Sequence, residues 1–153
     1  MLEYYMNDPI FQPLLVILPK LIVSTICGFI VGIERGCKDK PAGIRTIVLI
    51  SVGCTIFTSL ALTIEHSDPS RIIGQIITGI GFLGGGVIIK NDDRVIGVTT
   101  AAFIWFISAI GVLAGLGQVL TPIFLTVGFL IVSLVFEVFE RIMKKNRWKN
   151  IIN

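Results

Sequence analysis

The sequence predicts an all-α polytopic membrane protein, a bundle of about five transmembrane helices with its N-terminus outside and its C-terminus in the cytoplasm. Three observations predict it. Hydrophobic residues make up 54% of the 153 and charged residues 15%, and the mean hydropathy of +0.89 is well above that of a soluble domain. The apolar residues fall in stretches of about 18–22, the length at which a helix crosses a hydrocarbon core. Eleven of the thirteen Lys and Arg residues fall on one side of that arrangement, the side that the positive-inside rule assigns to the cytoplasm.

One membrane domain fills 1–153, with spans at about 14–33, 44–64, 72–89, 95–116 and 119–138 and a short basic tail at 141–153. The first thirteen residues hold no Lys or Arg, so they read as a retained N-terminus and not as the basic start of a signal peptide. The first span carries a ridge of small residues, Ser24, Gly28, Gly32 and Gly36, each four apart and so on one helical face. The second opens after Lys40-Pro41-Ala42. The third opens at Asp68-Pro69-Ser70-Arg71, an N-cap carboxylate followed by Pro at the first helical position. At 18 residues it reaches only about 27 Å against a core of about 30 Å.

The fourth span begins with Gly97-Val98-Thr99-Thr100-Ala101-Ala102 and places Ala101, Ser108 and Gly115 seven apart. Its hydroxyls either bond back to their own helix or line a crevice. The fifth starts at Thr121-Pro122 and is bulky all round, as a helix facing lipid should be. Glu137 and Glu140 precede Arg141, Lys144 and Lys145 at helical spacing, so this helix is expected to emerge into the cytoplasm. The basic tail, with Trp148 inside it, reads as an anchor to anionic lipid and not as a nucleic-acid site.

Small residues dominate the third span. Gly74, Thr78, Gly81 and Gly85 share one face, with Gly79 and Gly84 beside it. Each interior Gly costs about 0.5–1 kcal/mol of helix propensity relative to Ala, and close helix contact in lipid is the expected return. The faces of the first, third and fourth spans are therefore expected to meet. Gly79, Gly81 and Gly84 also match GxGxxG, but a dinucleotide site needs a strand before the glycines and a helix starting at them. No catalytic signature is present, so neither enzymatic activity nor a cofactor is expected. Cys27, Cys37 and Cys54 are odd in number and show no CxxC spacing, with His66 as the one imidazole. They read as small apolar fillers, not as a metal site or a disulfide framework.

A charge near the bilayer centre costs about 2.5–3.5 kcal/mol on insertion scales, so charges beside the spans need partners. Arg45 lies in the first turn of its helix, where the dipole disfavours a cation, and Glu34 is its nearest candidate partner. Arg71 has the same problem, with Asp68 three residues before it. Arg71, Gln75 and Thr78 continue a polar line along one face. That line is either a set of interhelical ties or a polar pocket for a solute or ion. Asp92 and Asp93 are flanked by Lys90 and Arg94 and read as a solvated turn.

Five motifs in order, Gly32-Ile33-Glu34-Arg35, Lys40-Pro41-Ala42-Gly43-Ile44-Arg45-Thr46, Asp68-Pro69-Ser70-Arg71-Ile72 with Gln75, Gly79-Ile80-Gly81-Phe82-Leu83-Gly84, and Gly97-Val98-Thr99-Thr100-Ala101-Ala102, resemble the MgtC/SapB family of bacterial inner-membrane proteins. The likeness covers about 18–116. It implies a compact multi-pass domain in the bacterial inner membrane, linked to magnesium limitation and to survival or virulence inside hosts. The best-known members look like regulators and not magnesium transporters, and an inhibitory contact with the F-type ATP synthase has been proposed for some. Gly36 stands where the family commonly has a second Glu, and Gly85 where Ala is usual. Those members also carry a soluble cytoplasmic domain after the helices, so roles assigned to that domain are not carried over.

Two functions follow as expectations. The first is a non-enzymatic membrane protein of this family, acting at low magnesium or under host stress through contacts with other membrane proteins, with a homodimer as the favoured self-association. The second is a carrier or channel for an ion or small solute, using Glu34, Arg45, Arg71, Gln75 and Thr99 along an internal path.

Overall fold

The computed structural model describes residues 11–64, 68–92 and 94–152, with side chains described over 14–64, 68–92 and 94–143. Five helices and one small hairpin make up the described chain: α1 (Phe11–Cys37), α2 (Ile44–Ala61), α3 (Pro69–Gly86), β1 (Ile89–Asn91), β2 (Arg94–Ile96), α4 (Val98–Gly115) and α5 (Leu120–Ile152). Four stretches are long and apolar enough to cross a membrane: Leu14–Cys37, Ile44–Ala61, Val98–Gly115 and Leu120–Met143. α3, expected as a further span, falls outside that set. That helix is 18 residues long, but Arg71, Gln75 and six glycines dilute its apolar content.

One small antiparallel hairpin interrupts the otherwise all-helical chain. Ile89 pairs with Ile96, Lys90 with Val95 and Asn91 with Arg94. Ile89 on one arm and Val95 and Ile96 on the other suit a pleated strand, and the pairing draws residues 95 and 96, expected at the start of the fourth span, away from the helix. Gly97 then turns the chain into α4 with φ +94°, and a Cβ there would lie 1.9 Å from the Val87 carbonyl oxygen. Only glycine fits that corner.

α2 lies between α1 and α4, and both contacts are made across glycine. On the α1 side, a Cβ on Gly28 would lie 3.1 Å from Val48 Cα, and one on Gly32 2.7 Å from Ile44 Cα. On the α4 side, a Cβ on Gly111 would lie 2.3 Å from the Ser51 carbonyl oxygen, and one on Gly115 2.6 Å from Thr58 Cβ. Hydroxyls of α2 use this proximity. Thr55 Oγ1 lies 2.9 Å from both the Ser51 oxygen of its own helix and the Gly111 oxygen across the seam, its one proton shared between the two acceptors, and Ser59 Oγ donates to the Gly115 oxygen at 3.3 Å. At the same end Lys20 of α1 donates to the Gly115 oxygen at 2.9 Å. Around this seam Val31, Ile47, Ile104, Ile107 and Ile110 are fully buried.

The third small-residue face does not join in. A Cβ on Gly74, Gly79, Gly81 or Gly85 would meet nothing within 4 Å, and one on Gly84 would make only an ordinary contact, 3.7 Å from Ala101 Cβ. The expectation that three smooth faces meet within one chain is thus corrected. α3 leans on the bundle through Ile80 and Gly84 and turns most of its glycines outward. α5 docks by aromatic contact, with Phe129 stacked on Phe106 at 3.7 Å and edge-on to Phe103 at 4.9 Å. The rest of its apolar surface is largely exposed, as lipid contact requires. At 33 residues α5 is about 50 Å long, longer than the hydrocarbon core. The tail side chains Lys144, Lys145, Arg147, Trp148 and Lys149 lie outside the described residues, as do His66 and Asp93.

These contacts rank the glycines. Gly111→Ala is expected to destabilise the folded protein by about 1–3 kcal/mol through overpacking. Gly81→Ala, with open space around it, should be neutral or gain up to about 1 kcal/mol from helix propensity. Thermal unfolding in detergent reads both; equal losses would contradict the packing described.

Candidate site at the basic end of the bundle

The end of α1, the hairpin, the start of α4 and the outer part of α5 enclose a cavity of about 1040 Å³. Arg35 is its most constrained charge. It sits in the last turn of α1, where the helix dipole favours a cation, and is 2% exposed. Its Nη2 donates to Thr100 Oγ1 at 3.0 Å, its Cζ lies 4.1 Å over the Phe103 ring, and its Nη1 lies 3.8 Å from Glu34 Oε2. One buried guanidinium thus ties α1 to α4 by a hydrogen bond and a cation–π contact.

A second set of charges ties α1 to α5. Lys38 Nζ lies 2.5 Å from Glu34 Oε1, one turn back, and also donates to Glu137 of α5. Arg141 Nη2 donates to Glu137 Oε1 at 2.6 Å. Burial pulls the Lys38 pKa down, but pairing with Glu137 and Glu34 more than offsets this and holds it above the ordinary lysine value.

Of the residues the sequence nominated, Glu34, Arg35, Thr99 and Thr100 line this one cavity. The others lie elsewhere. Arg45 is exposed and forms no ion pair with Glu34, which takes Lys38 at i,i+4 instead. Thr46 and Gln75 line a separate apolar groove of about 680 Å³ between α2, α3 and α4, beside Gly79. Asp68 caps α3, accepting from the Ser70 amide at 2.9 Å, and forms no ion pair with Arg71, which is exposed. Thr78 bonds back to the Gly74 oxygen at 3.0 Å. Glu34 and Arg71 stand at opposite ends of the bundle, so the nominated residues do not form a single path.

Lys38, Phe103, Glu137 and Arg141 belong to the site and were not nominated. The spacings Glu34/Lys38 and Glu137/Arg141 were visible as i,i+4 pairs, but nothing local joins residues 38 and 137. Among the described residues no group of three or more His, Cys, Asp or Glu side chains gathers. Cys27 and Cys54 are buried, while Cys37 is exposed and so is not a core filler.

Two outcomes test this geometry. Arg35→Gln should cost about 1–3 kcal/mol, because it leaves Thr100 buried without its charged donor, while Arg45→Gln should stay within about 0.5 kcal/mol. Because the Lys38 pKa is raised on folding, its contribution is complete below the unfolded lysine pKa of about 10.4 and is lost as the pH rises through the higher folded value. The unfolding difference between wild type and Lys38→Met should therefore be flat from neutral pH to mildly basic pH and shrink only above that window.

The chain matches the MgtC family over residues 21–142. It is 38% identical over 128 residues to an uncharacterised protein of Haemophilus influenzae, covering 76% of this chain and 54% of that protein. It is 39% identical over 140 residues to an Escherichia coli K12 protein named "Putative magnesium transporter YhiD", covering 83% and 64%. With the protein MgtC of Salmonella typhimurium LT2 it shares 42% identity over 98 residues, covering 64% and 42%. The chain thus spans about half the length of the curated relatives it matches. No solved structure matches it. Four membrane-length apolar helices and a family match across most of the chain lead to one conclusion: this is a membrane protein belonging to the MgtC family.

Proposed function

We propose that this protein is a non-enzymatic component of the bacterial inner membrane that serves adaptation to low magnesium or host stress by binding other membrane proteins. A second copy of itself is included among these. The observation that carries this reading is the outward small-residue face of α3, where Gly74, Gly81 and Gly85 have nothing within 4 Å and Phe82 is 83% exposed. Each of those glycines weakens the helix, and close approach by a neighbouring helix is a physical return that lipid alone does not give. The names of the Salmonella and Escherichia coli relatives support the link to magnesium.

The proposed orientation puts the basic end in the cytoplasm. Arg35, Lys38, Lys40, Arg45, Lys90, Arg94 and Arg141 belong to that end and Lys20 and Arg71 to the other, which is the bias that sets topology. Cys37, exposed at the basic end, should react with an impermeant thiol reagent only after the cytoplasmic side is opened; labelling in intact cells would overturn the orientation.

A transport reading is favoured by one observation, the roomy polar cavity around Glu34 and Arg35. Against a magnesium path, five cationic side chains line the cavity against three carboxylates, and Lys38 and Arg141 already pair with Glu34 and Glu137. A hydrated divalent cation needs free carboxylate oxygens.

Two measurements separate the readings. In a strain lacking the protein, Gly81→Leu should accumulate like wild type yet fail to restore growth at low magnesium, because only the outward face is blocked. Full restoration would remove the face from the account. Flux of Mg²⁺, protons or an organic solute into proteoliposomes, above empty liposomes and above a Glu34→Gln control, would favour transport instead.

A further inference from the structure

The cavity at the basic end carries more positive charge than its carboxylates neutralise. Arg35, Lys38, Lys40, Arg94 and Arg141 line it against Glu34, Glu137 and Glu140, a net charge of +2. Lys38 and Arg141 are spent on Glu34 and Glu137. The side chains of Lys40 and Arg94 make no hydrogen bond or ion pair among the described residues, although the Lys40 amide donates to the Arg35 oxygen and Arg94 pairs with Asn91 through the backbone. Gly97, Val98, Thr99 and Thr100 line the same cavity and form the start of α4, whose N-cap Gly97 supplies no side-chain acceptor. The first amides of an 18-residue helix therefore face a basic cavity without a capping side chain, and such amides together with the dipole favour an anion.

A second observation, independent of the helix end, points the same way. Arg35 is 2% exposed and lines the cavity, and its Nε has no hydrogen-bond partner. A buried guanidinium satisfied on only part of its fork is costly, and an anion in the cavity lowers that cost by charge even without reaching Nε. The opposite wall is apolar. Phe103, Phe129, Val132 and Phe136 supply it, and Val132 and Phe136 are more than half exposed on the membrane-facing helix α5. A charged floor beside an apolar wall open to lipid fits a phosphate group carrying acyl chains.

We propose that this cavity binds a phosphate-bearing anion, with the phosphate held at the start of α4 by Arg35, Lys40 and Arg94. Phosphate chemistry comes from two sources here, the head group of an anionic phospholipid or free inorganic phosphate. The apolar wall favours the lipid, and bidentate guanidinium contacts suit either.

The test is thermal unfolding of the full chain in neutral detergent at fixed ionic strength, with added phosphatidylglycerol, phosphatidylcholine or inorganic phosphate. Phosphatidylglycerol should raise Tm by several degrees and phosphatidylcholine should not. Lys40→Gln with Arg94→Gln, both at exposed positions, should remove more than half of that shift. Lys144→Gln with Lys145→Gln and Arg147→Gln should keep it, which separates the cavity from general attraction of a basic tail to anionic lipid. An equal shift with inorganic phosphate alone assigns the site to the free anion. The proposal is overturned if neither phosphate source shifts Tm, if the Lys40 and Arg94 substitutions leave the shift whole, or if the tail substitutions abolish it.

Discussion

The fold depends on how closely α2 approaches its two neighbours. Across Gly28 and Gly32 it meets α1, and across Gly111 and Gly115 it meets α4, at separations that crowd a Cβ at Gly28 and that a Cβ at the other three would force apart. In lipid the hydrophobic effect does not press helices together, so the drive comes from dispersion and from polar groups that find partners only at short range. Thr55 and Ser59 are such groups. Their hydroxyls reach the carbonyl oxygens of Gly111 and Gly115 because those residues carry no Cβ to hold the backbones apart. The glycines and the hydroxyls form one device: the first sets the distance and the second uses it.

The polar end of the molecule rests on that frame. With α1 and α4 both held against α2, the last turn of α1 stands beside the first turn of α4. Arg35 then reaches Thr100 and the face of Phe103. α5 adds itself by a different chemistry, aromatic stacking of Phe129 at one level and the Lys38–Glu137 pair at another. The molecule thus has a tightly built three-helix centre, with α3 and α5 joined to it by fewer and softer contacts. Surfaces on those two outer helices are free to meet lipid, a second copy or another membrane protein.

Much of this was legible in one dimension. The apolar lengths located four membrane-length helices, and the Gly28/Gly32 ridge and Gly115 fell where backbones do come together. Legibility failed where the partner of a small face had to be chosen. The densest glycine run, Gly79 to Gly86, looked like the best packing surface yet turns largely outward, while α2, which contributes Ser51, Thr55, Thr58 and Ser59 to the seam, carries a modest signal of small hydroxylated residues. A helical face shows in sequence periodicity, but which helix covers it is a tertiary fact. The same holds for charge. Glu34 was paired with Arg45 by proximity in sequence, whereas the i,i+4 geometry to Lys38 and the approach of Glu137 from 99 residues away decided the outcome. The hairpin was missed because Asp92-Asp93 dominated the reading of a loop whose flanks, Ile88-Ile89 and Val95-Ile96, were strand-forming.

The account stands or falls on the contact between α2 and α4, and a double-mutant cycle at Gly115 and Thr58 tests it most directly. A Cβ on residue 115 would lie 2.6 Å from Thr58 Cβ, 3.0 Å from its Cγ2 and 2.9 Å from the Thr55 oxygen, so Thr58→Gly removes two of the three atoms that Gly115→Ala would strike. Unfolding free energies of the two single variants and the double variant should be non-additive by about 0.5–3 kcal/mol, with the double variant recovering part of the Gly115→Ala loss. Strict additivity would mean that the two positions do not meet, and the close α2–α4 seam would have to be abandoned.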